Sequence, residues 1–219
     1  MRRVLVLRPE PGASETVARA GKLGLDAVSI PLFEVEPVAW EYPGPRKFDA
    51  LLLTSANAAR LAGTRLGELA HFPVYAVGEA SAEAARSAGL DVVTTGDSGV
   101  DRLLDSIGPG VRLLHLAGED RKVPASAQHV TQVTVYRSKP VAAPDLTGVG
   151  ASIALVHSPR AACRLAELVN DRTSIAIAAI SPAAAEAAGD GWQSIHVAER
   201  PSDDALLALA ARLCNKPDA

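Results

Sequence analysis

Six short stretches place small, hydroxylated or cationic residues directly after an apolar run: Arg8-Pro9, Thr54-Ser55-Ala56-Asn57, Gly78-Glu79-Ala80-Ser81, Gly118-Glu119, Ser158-Pro159-Arg160 and Ser181-Pro182. Ser, Thr and Asn there read as helix caps, and a helix start offers backbone N–H groups and a partial positive charge. The chemistry this suits is the holding of carboxylates. Arg8 and Arg160 stand closest to the turns, and Arg60, Arg121, Lys122, Arg137 and Lys139 lie near them or near a candidate hinge. Tyr136 is a different kind of candidate, because a phenolic O–H can donate a proton and Tyr136 sits in the extended, Pro-bounded segment VTVYRSKPVA. No G-x-S-x-G, P-loop, G-x-G-x-x-G or H-E-x-x-H occurs. His71, His115, His129, His157 and His196 lack the spacing of metal ligands, so no metal is expected. His157 and Ser158 do not form a nucleophile pair, since adjacent strand residues point to opposite faces.

The elements that must carry these residues alternate in type. Val4–Leu7 reads as a strand, SETVARAGKLG as a helix opening at Ser14, and DAVSIPLFEV as strand again. A longer unit follows: strand LLLTS, helix NAARLAGTRLGEL, strand VYAVG, helix ASAEAARSAG, strand DVVTT and helix GVDRLLDSI. Such alternation predicts parallel sheets of about five strands covered on both faces, the size of a flavodoxin-like layer structure.

Both units recur. Ser158 follows Ser55 by 103 positions, and Ser181 follows Gly78 by the same 103. The short unit has its own echo in VRLLHLAGED and VTQVTVYRS, so the order is short, long, short, long. Neighbouring units could pair in sequence, or the first short unit could close on the last long unit around an inserted domain. FEVEPVAWEY and VTVYRSKPVA favour the second arrangement, as both look extended and neither resembles a tight αβ turn. The first domain is then discontinuous, residues 1–35 plus 141–219, and residues 36–140 form the inserted one. Two antiparallel crossings would join them as a hinge bearing Tyr136, with the matched turns as walls of a cleft.

Composition narrows the partners. The 219 residues are 48% hydrophobic, 21% charged and only 4% aromatic, with a net charge of −3. That balance lacks the basic, aromatic stripe of nucleic-acid binders. Cys163 and Cys214 form no CxxC motif, no secretory segment follows Met1, and no apolar run reaches membrane-spanning length, so a cytoplasmic protein is expected.

Taken in order, TSANA, VGEASAEAA, VTVYRS, HSPRAA, AISPAAAEAAGDGW and PSDDALLALAA resemble the uroporphyrinogen-III synthase family over nearly the whole chain. The resemblance implies two flavodoxin-like domains joined by a two-stranded β linker, the first domain discontinuous. It implies cyclisation of hydroxymethylbilane, with loss of water and inversion of the last pyrrole ring, to give uroporphyrinogen III. It also implies a monomer that needs no metal or organic cofactor. The family's linker tyrosine matches Tyr136, proposed to assist departure of the hydroxyl group. Its hydroxylated turns match Ser55 and Ser158, and its VGxxTA turn matches Gly78 and Ser81. Arg8, Asn57, Gly118, Arg160 and Ser181 complete the expected carboxylate-binding set. Three departures stand out: Ser81 for threonine, Ala184 for threonine in the second copy, and Pro124 where relatives carry a helix. A non-catalytic clamp for a small anion, or a degenerate paralogue, are the alternative readings.

Overall fold

The structure, a computed structural model, describes residues 2–44, 47–97, 99–120 and 128–215. Arg121, Lys122 and Pro124 lie outside the described residues. The chain divides into two compact units, Met1–Glu34 with Pro140–Ala219, and Val35–Lys139.

The first unit holds five parallel strands: β1 (Val4–Val6), β2 (Ala27–Ser29), β9 (Ile153–Val156), β10 (Ala176–Ala179) and β11 (Ser194–Val197), in the order β11-β10-β9-β1-β2. Counted along the unit this is 2-1-3-4-5, the flavodoxin-like order. The central strands are apolar on both faces because both are covered. Leu5, Ala154, Val156 and Ile177 pack on α5 (Pro159–Leu168) and α6 (Pro182–Ala188). Val4, Val6, Ile153 and Leu155 pack on α1 (Gly12–Lys22) and α7 (Asp203–Cys214). The change of face falls between β1 and β9, whose ends carry Arg8 and Ser158.

The second unit contains β4 (Ala50–Leu53), β5 (Pro73–Val77), β6 (Asp91–Gly96), β7 (Arg112–Gly118) and β8 (His129–Pro140), parallel in the order β8-β7-β4-β5-β6. With β7 and β8 counted first, the order is again 2-1-3-4-5. Helices α2 (Ala56–Leu61) and α3 (Glu79–Ser87) cover one face and α4 (Val100–Asp105) the other. A sixth strand, β3 (Phe33–Pro37), joins the edge beside β8. The Val38 N–H donates to the Val135 carbonyl and the Val141 N–H to the Leu32 carbonyl, so this two-stranded crossing is antiparallel.

The repeat is most literal at the helix starts. Ser55 and Ser158, Gly78 and Ser181, Gly99 and Ser202 are the N-cap residues of α2 and α5, α3 and α6, α4 and α7, each pair separated by the same step.

Two helices differ from the sequence reading. The stretch read as NAARLAGTRLGEL breaks at Gly63, whose φ of 72° suits glycine, into α2 and a 3₁₀ turn at Thr64–Leu69. Helix α1 starts at Gly12 rather than after Ser14. The Ser14 N–H instead donates to the Glu10 carboxylate at 2.9 Å, an acidic cap that lies upstream of the expected one.

Candidate functional site

Parallel strands in register end together, so the residues that follow them share one edge of each sheet. In the first unit that edge carries Arg8, Ser158, Arg160 and Ser181. In the second it carries Ser55, Asn57, Gly78, Ser81, Gly118 and Tyr136.

The serines are first of all caps. Ser55 Oγ accepts from the Asn57 N–H at 3.3 Å, Ser158 Oγ from the Ala161 N–H at 3.2 Å, and Ser181 Oγ from the Ala184 N–H at 3.3 Å. Pro159 and Pro182 stand at the first helical positions of α5 and α6, where they remove one N–H each. Gly78 caps α3 with φ 77°, and Ser81 is buried inside the first turn of that helix. Substituting Ala184 for a hydroxylated residue leaves a buried methyl at the matched place in α6.

Tyr136 is aimed by an irregularity in β8. The ladder pairs Ala117 with Thr134 but Gly118 with Tyr136, so Val135 is an extra residue. Each one-residue slip in a strand reverses the facing of every later residue. Val130 packs on the α4 face and Val133 and Val135 on the α2/α3 face. Without the bulge Tyr136 would return to the α4 face; with it, Tyr136 joins Val135 on the α2/α3 face, 8% exposed. Its ring lies over Gly118: a Cβ there would stand 2.7 Å from the ring Cζ and 2.9 Å from the hydroxyl oxygen. The backbone on either side is pinned, since Val135 O accepts from Val38 and Tyr136 O accepts from the Glu119 N–H at 3.0 Å.

Of the cations singled out, Arg137 and Lys139 both pair with Glu36, Lys139 at 2.7 Å, and these bonds hold the Glu36 carboxyl below its ordinary range. Arg160 is exposed, with its guanidinium 4.4 Å from the Phe33 ring centroid. Arg60 is exposed on the last turn of α2. Arg8 lies over Gly12, where a Cβ would meet its Nε at 2.7 Å.

Arg8 also touches a network invisible in the sequence. Asp203, at the start of α7, accepts from Thr16 Oγ1 at 3.1 and 3.0 Å, from Arg19, and from His157 Nε2 at 2.6 Å, with Arg8 Nη1 at 3.7 Å. Burial pushes the Asp203 carboxyl up, but the bond from His157, the charges of His157 and Arg19, and the bond from Thr16 outweigh it and hold it below the usual range. An ionised acceptor requires the proton on Nε2, and His157 Nδ1 is buried with no hydrogen-bond partner among the described residues. In the second unit the position matching His157 is Thr54, whose Oγ1 lies 3.0 Å from His115 Nε2. The two edges therefore share caps but not charge.

Where β3 has ended and α2 stops, an open groove of about 620 Å³ lies between Pro37, Trp40, Glu41 and Thr64, Arg65. Trp40 Nε1 anchors its wall by donating to the Ala62 carbonyl at 2.8 Å.

The family model described as "Uroporphyrinogen-III synthase HemD" matches residues 14–208. A uroporphyrinogen-III synthase of Chlorobaculum parvum (strain DSM 263 / NCIMB 8327) is 31% identical over 101 residues, which span 42% of this chain and 41% of that relative. A crystal structure of uroporphyrinogen-III synthetase from Helicobacter pylori 26695 superposes with a TM-score of 0.67 at 21% identity, covering 97% of this chain and 100% of that one. A mutant uroporphyrinogen III synthase from the extremely thermophilic bacterium Thermus thermophilus gives 0.54 at 22% identity, covering 99% and 100%. At these identities the two structures speak for a shared fold.

Proposed function

The chain belongs to the uroporphyrinogen-III synthase family, and on that premise we propose that it converts hydroxymethylbilane into uroporphyrinogen III, a lyase step of tetrapyrrole biosynthesis. The observation that carries the mechanism is the β8 bulge, which turns Tyr136 onto the α2/α3 face at the strand-end edge. Bulges that re-aim a side chain are frequent beside active sites.

On this reading the Tyr136 O–H gives its proton to the substrate hydroxyl group, which leaves as water when its C–O bond breaks. The electrophilic carbon so formed is attacked by the substituted α-carbon of the last ring to give a spiro intermediate. That carbon's original bond to the bridging carbon then breaks, leaving a new electrophile there, and the ring's free α-carbon attacks it, so that the ring is inverted. The carbon that gains the new C–C bond loses its proton, and the phenolate takes that proton back. The net change is loss of one water, with no strong base needed. Arg8 and Arg160, with the first-turn N–H groups beside Ser55, Gly78, Ser158 and Ser181, hold carboxylates of the substrate.

Free hydroxymethylbilane can close without inversion, so the protein must chiefly control geometry. A product ratio of ~99:1 requires only about 2.7 kcal/mol of differential stabilisation. Orientation of a bound substrate is large enough to supply it. The same reading makes the protein a cytoplasmic monomer acting on a small molecule, with no nucleic-acid partner. Consistent with it, no helix among the described residues is long and apolar enough to cross a membrane. Incubating the purified protein with hydroxymethylbilane and separating the isomers tests the proposal. Excess isomer III is expected, whereas isomer I alone, at the uncatalysed rate, would sink it.

A further inference from the structure

We infer that Gly118 is a positioning residue for Tyr136, a seat left empty of a side chain so that the phenol can lie at one height and angle. The inference rests on the reading of Tyr136 as proton donor and adds what holds it in place. Among the described glycines, a Cβ would come closer than 3.0 Å to another atom only at Gly118 and Gly12, and the atoms met belong to Tyr136 and Arg8 respectively. Gly118 is not one of the glycines with positive φ, so its backbone tolerates alanine. What a methyl there meets is the far end of a side chain. A core clash would raise the cost of folding, but here the ring can yield, and the fold survives while the hydroxyl moves.

The bulge and the seat act together. The extra residue Val135 selects the face on which the ring lies, and Gly118, the cross-strand partner of Tyr136, sets how close the ring comes to the sheet. Gly118 is itself buried beneath the ring, so its place in the site is under the proton donor and not against a carboxylate of the substrate.

The test is Gly118→Ala in the full chain, alone and combined with Tyr136→Phe, with kcat, KM and Tyr136 ring resonances from tyrosine-labelled protein. Misplacement of a reacting group by about 1 Å can cost up to about a hundredfold. The expected result is a kcat about ten- to a hundredfold lower, a KM that changes much less, a displaced Tyr136 signal, and no further loss of kcat in the Tyr136→Phe background. An unmoved ring signal overturns the inference, as does an equal loss in both backgrounds. A moved ring with unchanged kcat also overturns it, and if Tyr136→Phe is fully active too, the fault lies in the reading of Tyr136 and not in the seat. Should Gly118→Ala fail to fold, the double variant with Tyr136→Ala decides. Recovery of folding supports the ring as the obstacle, and continued failure refutes it.

Discussion

Asp203 and His157 are joined by a 2.6 Å hydrogen bond, although they come from different elements and lie 46 residues apart, with both side chains at most 10% exposed. The bond fastens the start of α7 to the end of β9, and Thr16 and Arg19 add α1 to the same carboxylate. Removing one partner of a buried charged pair leaves the others without compensation.

Asp203→Ala is therefore expected to lower stability by about 3 kcal/mol. Asp204→Ala, at a side chain 83% exposed, should cost under about 1 kcal/mol. Urea unfolding of the two variants compares them directly, and equal midpoints would remove the network from the account of stability. The sign with pH follows from the depressed carboxyl: its contribution is complete above the ordinary aspartate value and is lost as pH falls through the lower, folded one.

Tyr136→Phe keeps the ring and its packing and removes only the O–H. Turnover should fall by about a hundredfold, the lower range for a general acid, with an unchanged circular dichroism spectrum. Full activity in isomer-resolved kinetics would eliminate it as the donor.

Asp49 marks the far edge of the second sheet. Its carboxylate takes bonds from Arg112 Nη2 at 2.6 Å, from Nε at 2.9 Å and from the Arg112 N–H at 2.9 Å, which together pull its pKa from 3.8 to about 2. The β4–β7 end should then be secure above pH 3.8 and loosen only as pH falls toward about 2. Carbon-detected NMR titration of the Asp49 carboxyl checks this, and in Arg112→Ala, which removes the guanidinium but keeps the backbone N–H bond, the midpoint should rise toward the ordinary value.

Substrate binding should weaken with salt, because Arg8, Arg160 and the helix starts hold carboxylates by charge. Screening shortens from about 10 Å at 0.1 M to about 3 Å at 1 M salt. A several-fold rise in KM over that range is expected, and a flat response would argue against the assigned cations.

Features that depend on neighbours in sequence were legible. Ser55, Ser158 and Ser181 cap helices through bonds two or three residues long, so residue type alone located them. The alternation of strands and helices likewise foretold the two parallel sheets. Tyr136 was legible as a residue but not as a direction, because an extra residue in β8 reverses the period-two facing. His157 was rightly separated from Ser158, which caps α5 while His157 turns to α7. Its true partner, Asp203, is set by how the α1/α7 layer packs, a relation with no local signature. Arg137 and Lys139 looked available for the same reason, since Glu36 meets them only across the β3–β8 pairing.

The interrupted first unit also orders events in time. Val4 aligns with Ile153, so the central pairing of that sheet joins residues about 150 apart. Synthesis from the N-terminus completes every strand of the second unit before β9 exists. Once that unit folds, the β3–β8 pairing brings Leu32 and Val141 together and removes most of the intervening chain from the loop that β1 and β9 must close. Pulse-labelled hydrogen exchange should find β4 and β7 amides protected before those of β1, and the opposite order would contradict it. The inserted unit then serves the first as a kinetic staple, so a substitution that slows its folding delays a sheet to which it contributes no strand.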